Sequence, residues 1–121
     1  MGNPFVHVEL STGDVDAAKA FYKALLSWEL SDREMAPGFT YTLVDVGEGT
    51  GGGMMKTPAE GAPAAWTPYV LVDDVVATTA KAKELGAQVC VDVTPVGDMG
   101  TMAMIKDPTG AMIGFWQPKG K

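Results

Sequence analysis

Apolar and polar residues alternate from Phe5 to Leu10, with Val6, Val8 and Leu10 on one side and Phe5, His7 and Glu9 on the other. That two-residue period predicts a strand with unlike faces. The period then lengthens. Val15, Ala18, Tyr22 and Leu25 recur at spacings of three and four, widened by Phe21 and Leu26, which predicts an amphipathic helix. Asp14 stands where it can cap that helix, and Asp16 adds a favourable charge in the first turn. Short strands are expected at 28–30, 40–46 and 51–56, separated by turns containing Gly, Pro and charged residues.

The pattern then starts again. Gly13-Asp14-Val15 is echoed sixty residues on by Asp73-Asp74-Val75, and the same offset sets Leu25 against Leu85. The second round predicts a strand at 67–72, a helix at 75–85 stopped by Gly86, and strands at 88–93, 101–106 and 111–117. Thr94-Pro95-Val96-Gly97 and Asp107-Pro108-Thr109-Gly110 are the expected turns between these last strands. The reading is one domain over 1–121, with module one at 1–56, a Pro/Ala/Gly-rich linker at 57–65 and module two at 66–121. The fold class is α+β, each module running strand, helix, three strands.

Composition narrows the function. With 46% hydrophobic and 20% charged residues the chain has the make-up of a globular protein of one core. A net charge of −6, with nine scattered Lys and Arg residues, argues against nucleic acid and leaves a cationic ligand open. No apolar run is long enough to span a membrane and no signal-peptide pattern opens the chain, so the expectation is a cytoplasmic protein without a membrane partner. Cys90, the lone cysteine, is flanked by Val89 and Val91 and is expected to be a buried, inert thiol. Most of the eight methionines are expected to fill the core, and the glycine run 47–53 reads as a turn, because it lacks the Lys-Ser/Thr ending of a phosphate loop.

Several stretches together resemble the vicinal oxygen chelate superfamily, which includes glyoxalase I, extradiol dioxygenases, fosfomycin-resistance proteins and bleomycin-binding proteins. They are His7-Val8-Glu9-Leu10 followed by Gly13-Asp14-Val15, then Ala20-Phe21-Tyr22, Leu25-Leu26, and Asp107-Pro108-Thr109-Gly110. The resemblance implies two tandem βαβββ modules forming a cup-shaped mixed sheet, helices on the outer face, and often a homodimer. It also implies a divalent metal held by His and Glu from four strands. Here His7 stands at one of those positions, but the others read Thr67, Gly114 and a residue near Gly53. Glu9 and Tyr69 could serve only in a rearranged site, so a metal cofactor is disfavoured.

Alternation gives the candidate residues. With Val6, Val8 and Leu10 facing the helix, His7 and Glu9 point the other way about 7 Å apart, as a candidate catalytic pair or the start of a metal site. Thr67, Tyr69 and Leu71 on the fifth strand, and Met112, Gly114 and Trp116 on the last, are the candidate ligand-binding residues. Three functions remain open: a metal-independent protein binding a small organic molecule in an apolar cup, a divalent-metal lyase or dioxygenase, and a metal-free isomerase or hydrolase using His7 as base.

Overall fold

The computed structural model describes residues 2–57 and 61–120; part of the expected linker, 58–60, lies outside the described residues. Among the described residues, eight strands and two helices follow in the expected order: β1 (Phe5–Thr12), α1 (Val15–Leu25), β2 (Glu29–Ala36), β3 (Phe39–Asp45), β4 (Gly52–Lys56), β5 (Ala65–Leu71), α2 (Val75–Glu84), β6 (Gln88–Val96), β7 (Gly100–Lys106) and β8 (Met112–Pro118). The fold is α+β, with the βαβββ order used twice. The chain forms two compact units, one of His7–Thr67 and one of the residues up to Val6 together with those from Pro68 on.

The repeat is visible atom by atom at the helix starts. The Asp14 carboxylate accepts the Ala17 N–H at 3.0 Å, and sixty residues on the Asp74 carboxylate accepts the Ala77 N–H at 3.0 Å. Each bond satisfies one of the four amide donors a helix start leaves unpaired. At the end of α2, Gly86 takes a φ of +102°, which glycine alone adopts cheaply, so that Gly86 N–H reaches Lys83 O and Ala87 N–H reaches Ala82 O. The Asp107 turn closes through its own carboxylate, which accepts from the Thr109 and Ala111 amides and from the Thr109 hydroxyl.

In the first unit β1 and β4 run parallel, and β4, β3 and β2 pair antiparallel in that order. Leu10, Val44 and Met54 are buried against Val15, Ala18 and Tyr22 of α1. An aromatic cluster extends this core: Tyr22 stacks on Trp28 at 5.4 Å between ring centroids, Trp66 meets both edge-on, and the Trp66 indole N–H donates to the Tyr22 hydroxyl at 3.2 Å. In the second unit β5 and β8 run parallel and β8, β7 and β6 antiparallel, with Val72, Val75, Ala103, Ile105 and Phe115 as core.

Three expectations need correction. β2 is far longer than 28–30, because Ser31-Asp32-Arg33-Glu34 hides a strand in polar residues; among the described residues it pairs only with β3, as an edge strand, and charge there discourages further pairing. β6 runs through Thr94 and Pro95, where a turn was expected; it too is an edge, and an edge tolerates proline. Cys90 is exposed, not buried: it falls where the β6 register slips between Val89 and Val91, and its thiol lies 3.6 Å from Met112 Sδ. Among the methionines, Met54 is fully buried whereas Met99 and Met112 are exposed.

Replacing Met54 by Ala should cost about 2–5 kcal/mol in urea unfolding, because it opens a cavity in the smaller of the two cores. Asp14→Ala and Asp74→Ala should each cost about 1 kcal/mol, the equal losses reporting equal caps.

Candidate functional site

In β1 the alternation holds: Leu10 lies under α1, and His7 and Glu9 project from the opposite face. A third residue joins them. The Tyr41 hydroxyl, from β3, donates to Glu9 Oε2 at 2.8 Å and lies 2.7 Å from His7 Nε2. A hydroxyl carries one proton, and with that proton on Glu9 the short contact to His7 requires Nε2–H to donate to the phenolic oxygen. The order is imidazole N–H to phenol oxygen, then phenol O–H to carboxylate. The His7 and Tyr41 rings lie nearly parallel, 22° apart with centroids at 6.2 Å.

Tyr41 reaches that position across an intervening strand. β4 lies between β3 and β1, so the phenol must span part of two strand spacings, roughly 10 Å in all. Gly53 makes the path. It pairs with Glu9 on one side and Leu43 on the other, and a Cβ there would overlap the Tyr41 ring and hydroxyl. Burial lowers the His7 pKa below its ordinary value, opposed by the Glu9 charge, so the imidazole is neutral at pH 7. A neutral imidazole that donates through Nε2 has Nδ1 as its basic nitrogen.

The second unit carries the same device in apolar form. Tyr69 pairs with Gly114 in parallel register, as Glu9 pairs with Gly53, and a Cβ at Gly114 would overlap the Tyr69 ring. Tyr69 is 3% exposed. Leu71 and Trp116 form the neighbouring pair, and the register sets Met104 beside Gly114 and Met102 beside Trp116. Tyr69, Leu71, Gly114, Trp116, Met102 and Met104 therefore share the face turned away from the Phe115 core. Met112 stands at the exposed end of β8, and Thr67 is buried in the His7–Thr67 unit.

Of the residues expected from sequence, the structure brings His7 and Glu9 together and sets Tyr69 in the other unit; Tyr41, which joins the first two, was passed over. Alternation in β3, where Thr42 and Val44 are buried, would have placed Tyr41 on the His7 side. What alternation cannot supply is the order of strands that brings β3 within reach of β1.

The donor set does not fit a metal centre of the kind the first strand suggests. Among the described residues no three His, Cys, Asp or Glu side chains come together. Gly53 and Gly114 offer no donor, and Tyr41 bonds both His7 and Glu9.

The family model of the Glyoxalase/Bleomycin resistance protein/Dioxygenase superfamily matches residues 5–115, and the chain belongs to that superfamily. It is 37% identical over 110 residues to the CFP32 protein of Mycobacterium bovis, provisionally named a glyoxylase, covering 91% of this chain and 42% of that one. It is 30% identical over 124 residues to the anthracycline biosynthesis protein DnrV of Streptomyces peucetius, covering 90% and 45%. The chain thus spans less than half the length of these curated relatives. Among solved structures, protein BH1468 of Bacillus halodurans superposes with a TM-score of 0.74 at 18% identity, over 100% of this chain and 98% of that one. Methylmalonyl-CoA epimerase of Mycobacterium tuberculosis superposes with a TM-score of 0.69 at 19% identity, over 94% and 87%, a likeness of fold.

His7 is the one histidine, so its ring signal in a proton NMR titration is unambiguous, and it should titrate below 6.5, further below in Glu9→Gln. Because the folded pKa lies below the unfolded one, the unfolded chain takes up the proton first; stability should be full above pH 6.5 and decline as pH falls from there toward the folded value. Gly114→Ala should cost about 1–3 kcal/mol by overpacking Tyr69. Gly53→Ala should cost less once Tyr41 is also Ala, and a double-mutant cycle with zero coupling would contradict the overlap.

Proposed function

We propose that this chain binds a small organic molecule without a metal, on the face of the His7–Thr67 unit that carries His7, Tyr41 and Glu9. The observation that carries the reading is Tyr41 lying over Gly53, where its phenol bonds the only histidine and the adjacent carboxylate. A metal at His7 would have to break that chain and find ligands at glycine positions. The imidazole and phenol rings of that face suit a planar ligand held by stacking, with their polar atoms orienting its polar end.

The same chain favours a second reading within the superfamily, a metal-free isomerase in which His7 removes a proton from carbon. Proton uptake by the ring would make the imidazole cationic. The Nε2–H bond to Tyr41 would then strengthen, and the phenol, donating to Glu9, would couple the new charge to the carboxylate. Names among the relatives, a glyoxylase and an anthracycline biosynthesis protein, suggest oxygenated carbonyl compounds as the class to try.

Elemental analysis of purified protein, before and after reconstitution with zinc, nickel, iron or manganese, should find far less than one metal per chain, unchanged in His7→Ala. Stoichiometric metal lost in that variant would overturn the proposal. Calorimetric titration of chelator-treated protein with vicinal dicarbonyls and planar aromatic ketones should give saturable binding, weakened about tenfold by Tyr41→Phe, the loss of one hydrogen bond to a charged group. For the isomerase reading, deuterium should enter the carbon next to the carbonyl of a bound ketone in D2O, with the rate falling about 10²–10⁴-fold in His7→Gln. Binding without exchange would leave a binding protein.

A further inference from the structure

The side of the first sheet that meets α1 carries a hollow of its own. Val8 alternates with His7 and Glu9 along β1, so it shares the Leu10 side and turns away from the Tyr41 network. Between Val8 and Val44 the register places Gly52, which brings no side chain, and a Cβ there would meet the Val8 carbonyl oxygen. One row further on, Met54 fills the equivalent place between Leu10 and Thr42 and is wholly buried. What remains beside Met54 is an open hollow of about 210 Å³, walled by Val8, Val44, Val46, Trp28 and Trp66, all within the His7–Thr67 unit. The two indoles meet as a corner, 6.0 Å between centroids and 76° apart. The Trp66 N–H is already given to the Tyr22 hydroxyl, so Trp66 offers ring surface and no donor, and Thr50 is the one polar side chain in the lining.

The repeat supplies an internal control. Leu43 pairs with Gly53 as Met104 pairs with Gly114, so Val44 and Gly52 are answered by Ile105 and Ile113. Ile113 packs against the core of its own module, and sixty residues on from Trp28 stands Gln88. The module can therefore fill this place with a side chain and needs no indole beside it; the first copy leaves it open and lines it with two. The charges around it have one sign. No Lys or Arg lies among the lining residues or next to one in sequence, whereas Glu29 follows Trp28, Asp45 stands between Val44 and Val46, and Glu48 precedes Thr50 by two residues. Glu29 and Asp45 are register partners, an arrangement in which like charges repel, and among the described residues neither is in an ion pair. Asp45 alternates with Val44, so these carboxylates act on the hollow by their field and not by contact; one residue is about 3.8 Å of chain, well inside a Debye length of about 8 Å.

We infer that this hollow binds a small organic ammonium ion with an apolar body, its charge against the Trp28 and Trp66 rings and its body over Gly52. A neutral molecule entering the hollow gains burial alone. A cation gains in addition the attraction of two indole faces and lowers the repulsion between Glu29 and Asp45, while an anion meets both with the wrong sign. The site lies on the opposite side of the sheet from His7, Tyr41 and Glu9, and it does not depend on what that face binds.

The test is calorimetric titration of the full chain with benzyltrimethylammonium and with neopentylbenzene, its neutral isostere. Both should saturate, the cation about tenfold tighter, as a partly desolvated cation on an indole face requires. The ratio should narrow when salt is raised to about 1 M, where the Debye length falls to about 3 Å. Glu29→Gln with Asp45→Asn should narrow it too, without moving the neutral compound. Val46→Phe, which puts a ring into the hollow, should abolish binding of both at unchanged circular dichroism, and Tyr41→Phe, on the other face, should leave both titrations as they are. Equal affinity for the two probes, saturable binding by neither, a ratio indifferent to the two carboxylates, binding that survives Val46→Phe, or binding lost in Tyr41→Phe would each overturn the inference.

Discussion

Tyr41 bridges the only histidine and a carboxylate two residues away on the same strand, and it can do so because Gly53 has no side chain. The geometry around it depends on that one oxygen. It fixes which His7 nitrogen carries the proton, holds the Glu9 carboxylate in a defined direction, and turns what would be two separate polar groups on a strand into a continuous path for charge. The energetic logic is that of a half-buried polar network: desolvation pushes His7 toward its neutral form, and the bonds to Tyr41 and on to Glu9 compensate the polar groups for the water they give up.

Much of the fold was legible in sequence because its determinants are local. The Asp14 and Asp74 caps, the Gly86 stop and the Asp107 turn each act within a few residues, and the sixty-residue offset ties them into two modules. Strands failed where locality failed. β2 and β6 are edges whose exposed positions carry polar residues and a proline, so their pattern is dominated by solvent and not by a core. Cys90 was misread for a related reason: flanking valines imply burial only if the strand is regular, and here its register slips.

The site was half legible. Alternation in β1 separates His7 and Glu9 from Leu10 without any knowledge of the fold, and likewise groups Tyr69 with Leu71. Tyr41 lies 32 residues from Glu9, and its contact depends on β4 inserting between β3 and β1, an arrangement no short-range pattern encodes. The glycines were the available clue. Gly53 and Gly114 read as missing ligands in sequence; in the structure each is the space a tyrosine ring occupies.

The two modules therefore share a plan and differ in chemistry. Glu9 pairs with Gly53 and Tyr69 with Gly114, equivalent positions in the two parallel strand pairs, so the residue facing the glycine is a carboxylate in one and an aromatic ring in the other. Where Glu9 stands, a tyrosine from a different strand comes over to meet it; where Tyr69 stands, the ring itself covers the glycine and no carboxylate is needed. His7 is likewise answered by Thr67. On the faces turned away from the two cores, the first module presents His7, Tyr41 and Glu9 and the second presents Tyr69, Trp116 and methionines.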